Sequence, residues 1–140
     1  MKRLRDDALR NAVARRLYLA RAEGRVITLD EAVGEVIDGA APAYFVEFDS
    51  AYERILDYVK TGSSTKVVNP LKRAMYAEIT RKCLAILARR PYLSISDVLA
   101  RVLTAETASS FFITKAYALR RLRATTKEPS HLRLRTRKLF

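Results

Sequence analysis

The chain matches itself. Displaced by 66 positions, Leu9 falls on Met75, Val13 on Ile79, Arg15 on Arg81 and Arg16 on Lys82. Ile27 then meets Leu93, Thr28 meets Ser94, Leu29 meets Ile95, Glu31 meets Asp97, and Val36 and Ile37 meet Val102 and Leu103. After one inserted residue the offset becomes 67, and Tyr44, Phe45 and Val46 fall on Phe111, Phe112 and Ile113. Ala51, Arg54 and Ile55 likewise fall on Ala118, Arg121 and Leu122. Amphipathic helices resemble one another by chance, but chance does not easily reproduce helix caps and an aromatic pair in the same order. A tandem duplication is therefore expected, and the architecture has to accommodate the same unit twice.

Within each unit the hydrophobic period is helical. "DDALRNAVARRLYLARAEG" spaces Leu9, Val13 and Leu17 by four, starts on Asp6 and Asp7, and stops at Gly24. "NPLKRAMYAEITRKCLAILARRP" carries Pro70 early, aligns Met75, Ile79, Cys83, Ile86 and Leu87 on a stripe, and ends before Pro91. Second helices of about three turns begin at matched capping signals, "TLDE" from Thr28 and "SISD" from Ser94, with Asp a weaker reciprocal partner than Glu. Connectors ending in "YFV" and "FFI" read either as buried extended stretches or as the start of the next helix. The third helices are "DSAYERILDYVK" and "TKAYALRRLRATTK", the latter with Thr114 as N-cap. "TGSSTKVVNP" from Thr61 has the turn chemistry of a link between units.

These elements predict an all-α fold: a tandem duplication of a three-helix, helix-turn-helix-like unit with a basic C-terminal tail. The first unit spans residues 1–62, the second, basic unit 63–127, and the tail 128–140. In the tail, Pro129 breaks the helical pattern. Leu132, Leu134, Thr136 and Lys138 then alternate with Arg133, Arg135 and Arg137, which suits a frayed basic end or an arm ordered by a partner.

Composition narrows the function. With 140 residues, 49% of them hydrophobic, and only four Gly and four Pro, the chain can build a core. A single cysteine, Cys83, excludes an internal disulfide, and with one histidine, His131, it leaves no ligand set for structural zinc. The N-terminal stretch is interrupted by charges where a signal peptide needs an apolar run, so a soluble, cytoplasmic protein is expected. No cofactor is expected. "TGSSTK" lacks the first glycine of a phosphate-binding loop, Cys83 lies on an apolar stripe, and Glu31 and Asp97 read as helix-start residues; an enzyme is not expected.

The net charge of +12 is placed unevenly. Residues 1–66 hold 11 basic and 11 acidic side chains, whereas residues 67–140 hold 16 basic and four acidic ones. The third helix of the first unit carries Asp49, Glu53 and Asp57; its counterpart carries Lys115, Arg120, Arg121, Arg123 and Lys127. A basic third helix after a capped second helix is how helix-turn-helix proteins reach the major groove, with phosphate contacts supplying most of the affinity. Nucleic-acid contacts are accordingly expected at Lys115, Arg120, Arg121, Arg123 and Lys127, reinforced by Arg133, Arg135, Arg137 and Lys138 of the tail. The expected partner is DNA, with RNA as a variant, and the protein could be a homodimer. It would be a small regulator or nucleoid-type protein. The plainer reading of such charges is a solvated helix face. One feature departs from the motif: a connector of about nine residues from Asp38 to Val46, against a usual turn of three or four.

The aromatic pair followed by Ser/Thr-x-x-x-Ala-x-x-aliphatic, after a capped helix and the Arg-rich "RAMYAEITRKCLAILARRP", resembles small uncharacterised tandem-repeat helical proteins of gut bacteria and their phages over residues 5–125. That resemblance implies the repeated fold and no particular activity; Glu47 departs from it where a hydroxyl residue is the rule. Tyr52, Tyr117, Phe111 and Phe112 are better placed for packing than for stacking on bases. A second reading is an interaction or assembly module of a virion or mobile element, in which "DSAYERILDYVK" of one molecule pairs with "TKAYALRRLRATTK" of another.

Overall fold

The structure, a computed structural model, describes residues 2–62, 67 and 69–126. These form six helices and no strand: α1 (Lys2–Ala22), α2 (Leu29–Asp38), α3 (Phe48–Thr61), α4 (Pro70–Arg89), α5 (Ile95–Ala105) and α6 (Lys115–Thr126). The protein is all-α. The alternating segment of the tail lies outside the described residues.

Local chemistry sets most helix ends. Gly24, at φ +78°, closes α1 with the paired bonds of a Schellman motif: the Arg25 N–H donates to the Ala20 carbonyl and the Gly24 N–H to that of Arg21. Thr28 and Glu31 form a complete capping box on α2, whereas Ser94 on α5 accepts from the Asp97 N–H at 3.1 Å without the reciprocal bond. Asn69 accepts from the Leu71 and Lys72 N–H groups ahead of Pro70. Thr114 caps α6 by accepting from the Tyr117 N–H at 3.1 Å, but Glu47, its counterpart on α3, makes no capping bond with its side chain. The acidic pair at Asp6 and Asp7 does not begin α1, which starts at Lys2. Asp6 is instead buried in the interior of the molecule.

Helix packing does not follow the order of the sequence repeats. α1 packs on α2 and α4 on α5, as adjacent helices of a repeat should; α3, however, packs on α4 and α5, and α6 packs on α1 and α2. The packed trios are therefore α1–α2–α6 and α4–α5–α3, each completed by a helix from the other half of the chain. Connector length is the physical reason. Residues 39–47 and 106–114 are nine each, and an extended chain covers roughly 3.3 Å per residue, so each can carry its helix across the molecule where a three-residue turn would fold it back.

The two connectors meet at the centre. Ala41 and Ala108, which match at the sequence offset of 67, form an antiparallel bridge with both N–H···O bonds at 3.0 Å. Tyr44 and Phe111 are buried beside it, and Phe45 stacks on Phe111 with centroids 6.2 Å apart. The connectors are irregular segments with bends, half-buried or exposed apart from Ala41, Tyr44, Ala108 and Phe111, and they precede α3 and α6 rather than form part of them. Phe112 sits at φ +55°, an uncommon and strained conformation for an aromatic residue. The core runs without a break through both trios, from Leu9, Val13, Val33 and Leu122 to Ile55, Ile79, Leu99 and Val102. Cys83 is part of it, and burial pushes its thiol up to about 11.

Candidate nucleic-acid interface

α6 presents two different faces. Ala118 and Leu122, four residues apart, are buried against α1 and α2, which turns Arg120 and Arg123 outward. The five cations expected on this helix are consequently not equivalent. Lys115 leans along α2, with its ammonium 3.3 Å from Asp30 and its stem beside Gly34. Arg121 points onto α1, where its Nε and Nη2 donate to Asp6 Oδ2 at 2.9 and 2.7 Å. Hydrogen bonding to Asp6 raises its pKa. Arg120 lies over the Tyr117 ring at 5.4 Å, and Arg5 lies over the same ring at 5.0 Å while donating to the Tyr117 hydroxyl. Arg123 stands with Arg10 at the rim of an apolar cleft of about 230 Å³ floored by Val13, Leu17, Leu29 and Leu122. Lys127, Arg133, Arg135, Arg137 and Lys138 lie outside the described residues.

Asp6 is the residue that organises this region. It is 3% exposed, and a buried carboxylate needs a paired cation to remain charged. Arg121 supplies one, and Arg5 stands 3.6 Å from its second oxygen. The ion pair thus fixes the roll of α6 about its axis. It also engages Arg121, whose side chain remains 36% exposed.

A second basic surface lies at the far end of α4. Arg89 ends α4, Arg90 is its C-cap, and with Ile86 and Arg101 of α5 they line a cleft of about 260 Å³. All three arginines are exposed. None of the three makes an ion pair among the described residues. The matching surface of the first half is different. There Glu35 occupies the position of Arg101, and Arg16 Nε donates to its carboxylate, a hydrogen bond that holds the carboxyl below its ordinary value. Glu23 occupies the position of Arg89 and pairs with Arg25. At the position of Arg16 the second half has Lys82, which donates to the Thr107 carbonyl and lies over the Tyr44 ring. In the sequence, "ILARRP" reads as the Arg-rich end of a helix with Ile86 and Leu87 on its apolar stripe, and Arg89, Arg90 and Arg101 are not picked out as a site. Comparing charges position by position at the offset of 66 would have found this surface.

Not every polar group near the centre serves an interface. Glu78 is buried, accepts from the Tyr44 hydroxyl and from the Ser109 N–H at 3.1 Å, and ties α4 to both connectors. Burial alone would push its carboxyl up, but the bonds from Ser109 and Tyr44, with Lys82 nearby, bring it below the ordinary value. Among the described residues no group of three His, Cys, Asp or Glu side chains could hold a metal ion, and no helix is long and apolar enough to cross a membrane.

No known family, curated protein or solved structure matches this chain. The likeness to tandem-repeat helical proteins therefore rests on the residue pattern alone.

Proposed function

We propose that this protein is a non-enzymatic nucleic-acid-binding protein, a small regulator or nucleoid-type protein, whose partner is duplex DNA. The observation that carries this reading is the outward face of α6, where Arg120 and Arg123, three residues apart, are both exposed. Neighbouring exposed arginines on one helix face are stabilised by a polyanion that brings its own counter-charge. Arg120 and Arg123, outward on α6, would contact phosphates or base edges, with the tail arginines beyond them. Lys115 would contribute from the start of the helix. Arg121 has another role in this proposal: through Asp6 it sets the angle at which α6 is presented.

The test is fluorescence anisotropy with a labelled duplex at several salt concentrations, comparing wild type with Arg120→Ala/Arg123→Ala. Arg121 stays in place, because removing it would orphan Asp6 and confuse unfolding with weakened DNA binding. A salt slope that flattens by roughly one for each phosphate-binding arginine removed supports the reading. Absence of binding at physiological salt, or a slope unchanged in the variant, rejects α6 as the DNA-facing surface and directs attention to a protein partner.

A further inference from the structure

We infer that the cleft formed by Arg89, Arg90 and Arg101 is a phosphate-binding site, and that its physiological ligand is a phosphate of a nucleic-acid backbone. The second clause rests on the function proposed above; the first does not. Like charges gathered in a concave surface repel one another, and the two halves of this molecule treat that repulsion in opposite ways. In the first half each equivalent position is neutralised: Glu35 takes the place of Arg101 and pairs with Arg16, while Glu23 takes the place of Arg89 and pairs with Arg25. In the second half both carboxylates are replaced by arginine and Gly24 by Arg90, so three guanidinium groups face one cleft.

The nearest acid along α5, Asp97, stands one turn before Arg101 and forms no ion pair with any of the three among the described residues. The last carbonyls of α4 favour a cation there, and the Arg90 N–H already closes the helix on the Ile86 carbonyl, but that dipole accounts for one positive charge rather than three. Guanidinium forks match the oxygens of phosphate in geometry as well as in charge, and Ile86 supplies an apolar wall that limits hydration of the bound group. The cleft volume of about 260 Å³ admits a phosphate or a pyrophosphate but not a folded macromolecular surface, so a backbone would enter it by one projecting phosphate.

The experiment uses the full chain and two probes, pyrophosphate and a labelled duplex. The variants are Arg101→Glu, which restores the residue of the first half, Arg89→Ala/Arg90→Ala, and Arg25→Glu as a change of equal charge on the opposite half. Far-UV circular dichroism and melting temperature establish that each is folded, and the double alanine variant serves if Arg101→Glu is not. Pyrophosphate should shift backbone amide resonances at the end of α4 and around Arg101 of α5 in wild type and Arg25→Glu, and not in the cleft variants. Duplex affinity should fall about tenfold or more in the cleft variants and clearly less in Arg25→Glu, as expected when arginines that bind phosphate directly are removed. Pyrophosphate binding that depends on the cleft, without duplex binding, keeps the site, assigns it to a free phosphate compound and removes nucleic acid as its ligand. Duplex binding weakened equally by Arg25→Glu and by the cleft variants removes nucleic acid as the ligand, whereas no pyrophosphate response at these residues overturns the site itself; either leaves α6 to be judged by its own variants.

Discussion

Arg121 and Asp6 show how much a single interaction can change the meaning of a residue. Arg121 reads as one more cation on a basic helix, and Asp6 as an acidic residue at a helix start. They are 115 positions apart, and nothing local in either segment reveals that one neutralises the other. Arg121→Ala is expected to lower the melting temperature markedly, because it leaves a buried carboxylate without its main partner, and Asp6→Asn added to it should recover part of the loss. Thermal denaturation of the two variants checks both expectations. Glu78 gives the pH counterpart. Its carboxyl is lowered in the folded protein, so the stability it contributes is complete above the ordinary value of 4.5 and is lost as pH falls through the folded value. Denaturant unfolding at pH 7 and at pH 3 should show a smaller acid loss for Glu78→Gln than for wild type. The pairing of Glu78 with Tyr44 was illegible in the sequence for the same reason as that of Arg121: it joins α4 to a connector 34 positions away.

Helix ends, by contrast, were largely legible. Thr28, Ser94 and Thr114 act through atoms three residues away, so the sequence around each contains the whole interaction. The fourfold spacing of Leu9 and Val13, or of Ala118 and Leu122, likewise identifies the buried face of a helix. It does not identify what that face meets. The repeats suggested consecutive trios because adjacent helices usually pack together, and the connectors override that tendency by their length. Two predictions belong at this level. Thr28→Ala should destabilise the protein by about 1 kcal/mol in denaturant unfolding, through loss of the capping box. Glu47→Thr should stabilise it by roughly 0.5 kcal/mol, since it gives α3 the hydroxyl cap that Thr114 gives α6. A neutral or destabilising Glu47→Thr would mean that Glu47 supports α3 in a way that outweighs a cap.

For the whole molecule, α3 packing on α4 and α5, and α6 on α1 and α2, ties both ends of the chain into one continuous core. Fragments 1–62 and 63–140 should each show little ordered helix by circular dichroism, because each lacks the helix that covers its pair, and mixing them should restore the signal. An independently folded fragment would contradict this. Charge is the property on which the two halves diverge: they keep the same bridge at Ala41 and Ala108, while the surface at Glu23 and Glu35 becomes one of arginines at Arg89 and Arg101. The crossed arrangement also has a temporal side. α1 and α2 leave the ribosome early, yet the helix that covers them is the last of the six to be made. At the usual 5–20 residues per second, the interval between Asp38 and Thr126 is roughly 4–18 s. For that time the faces of α1 and α2 that pack on α6 meet solvent or a chaperone, so the N-terminal half is the part of the newborn protein most exposed to aggregation and most dependent on α6 being made.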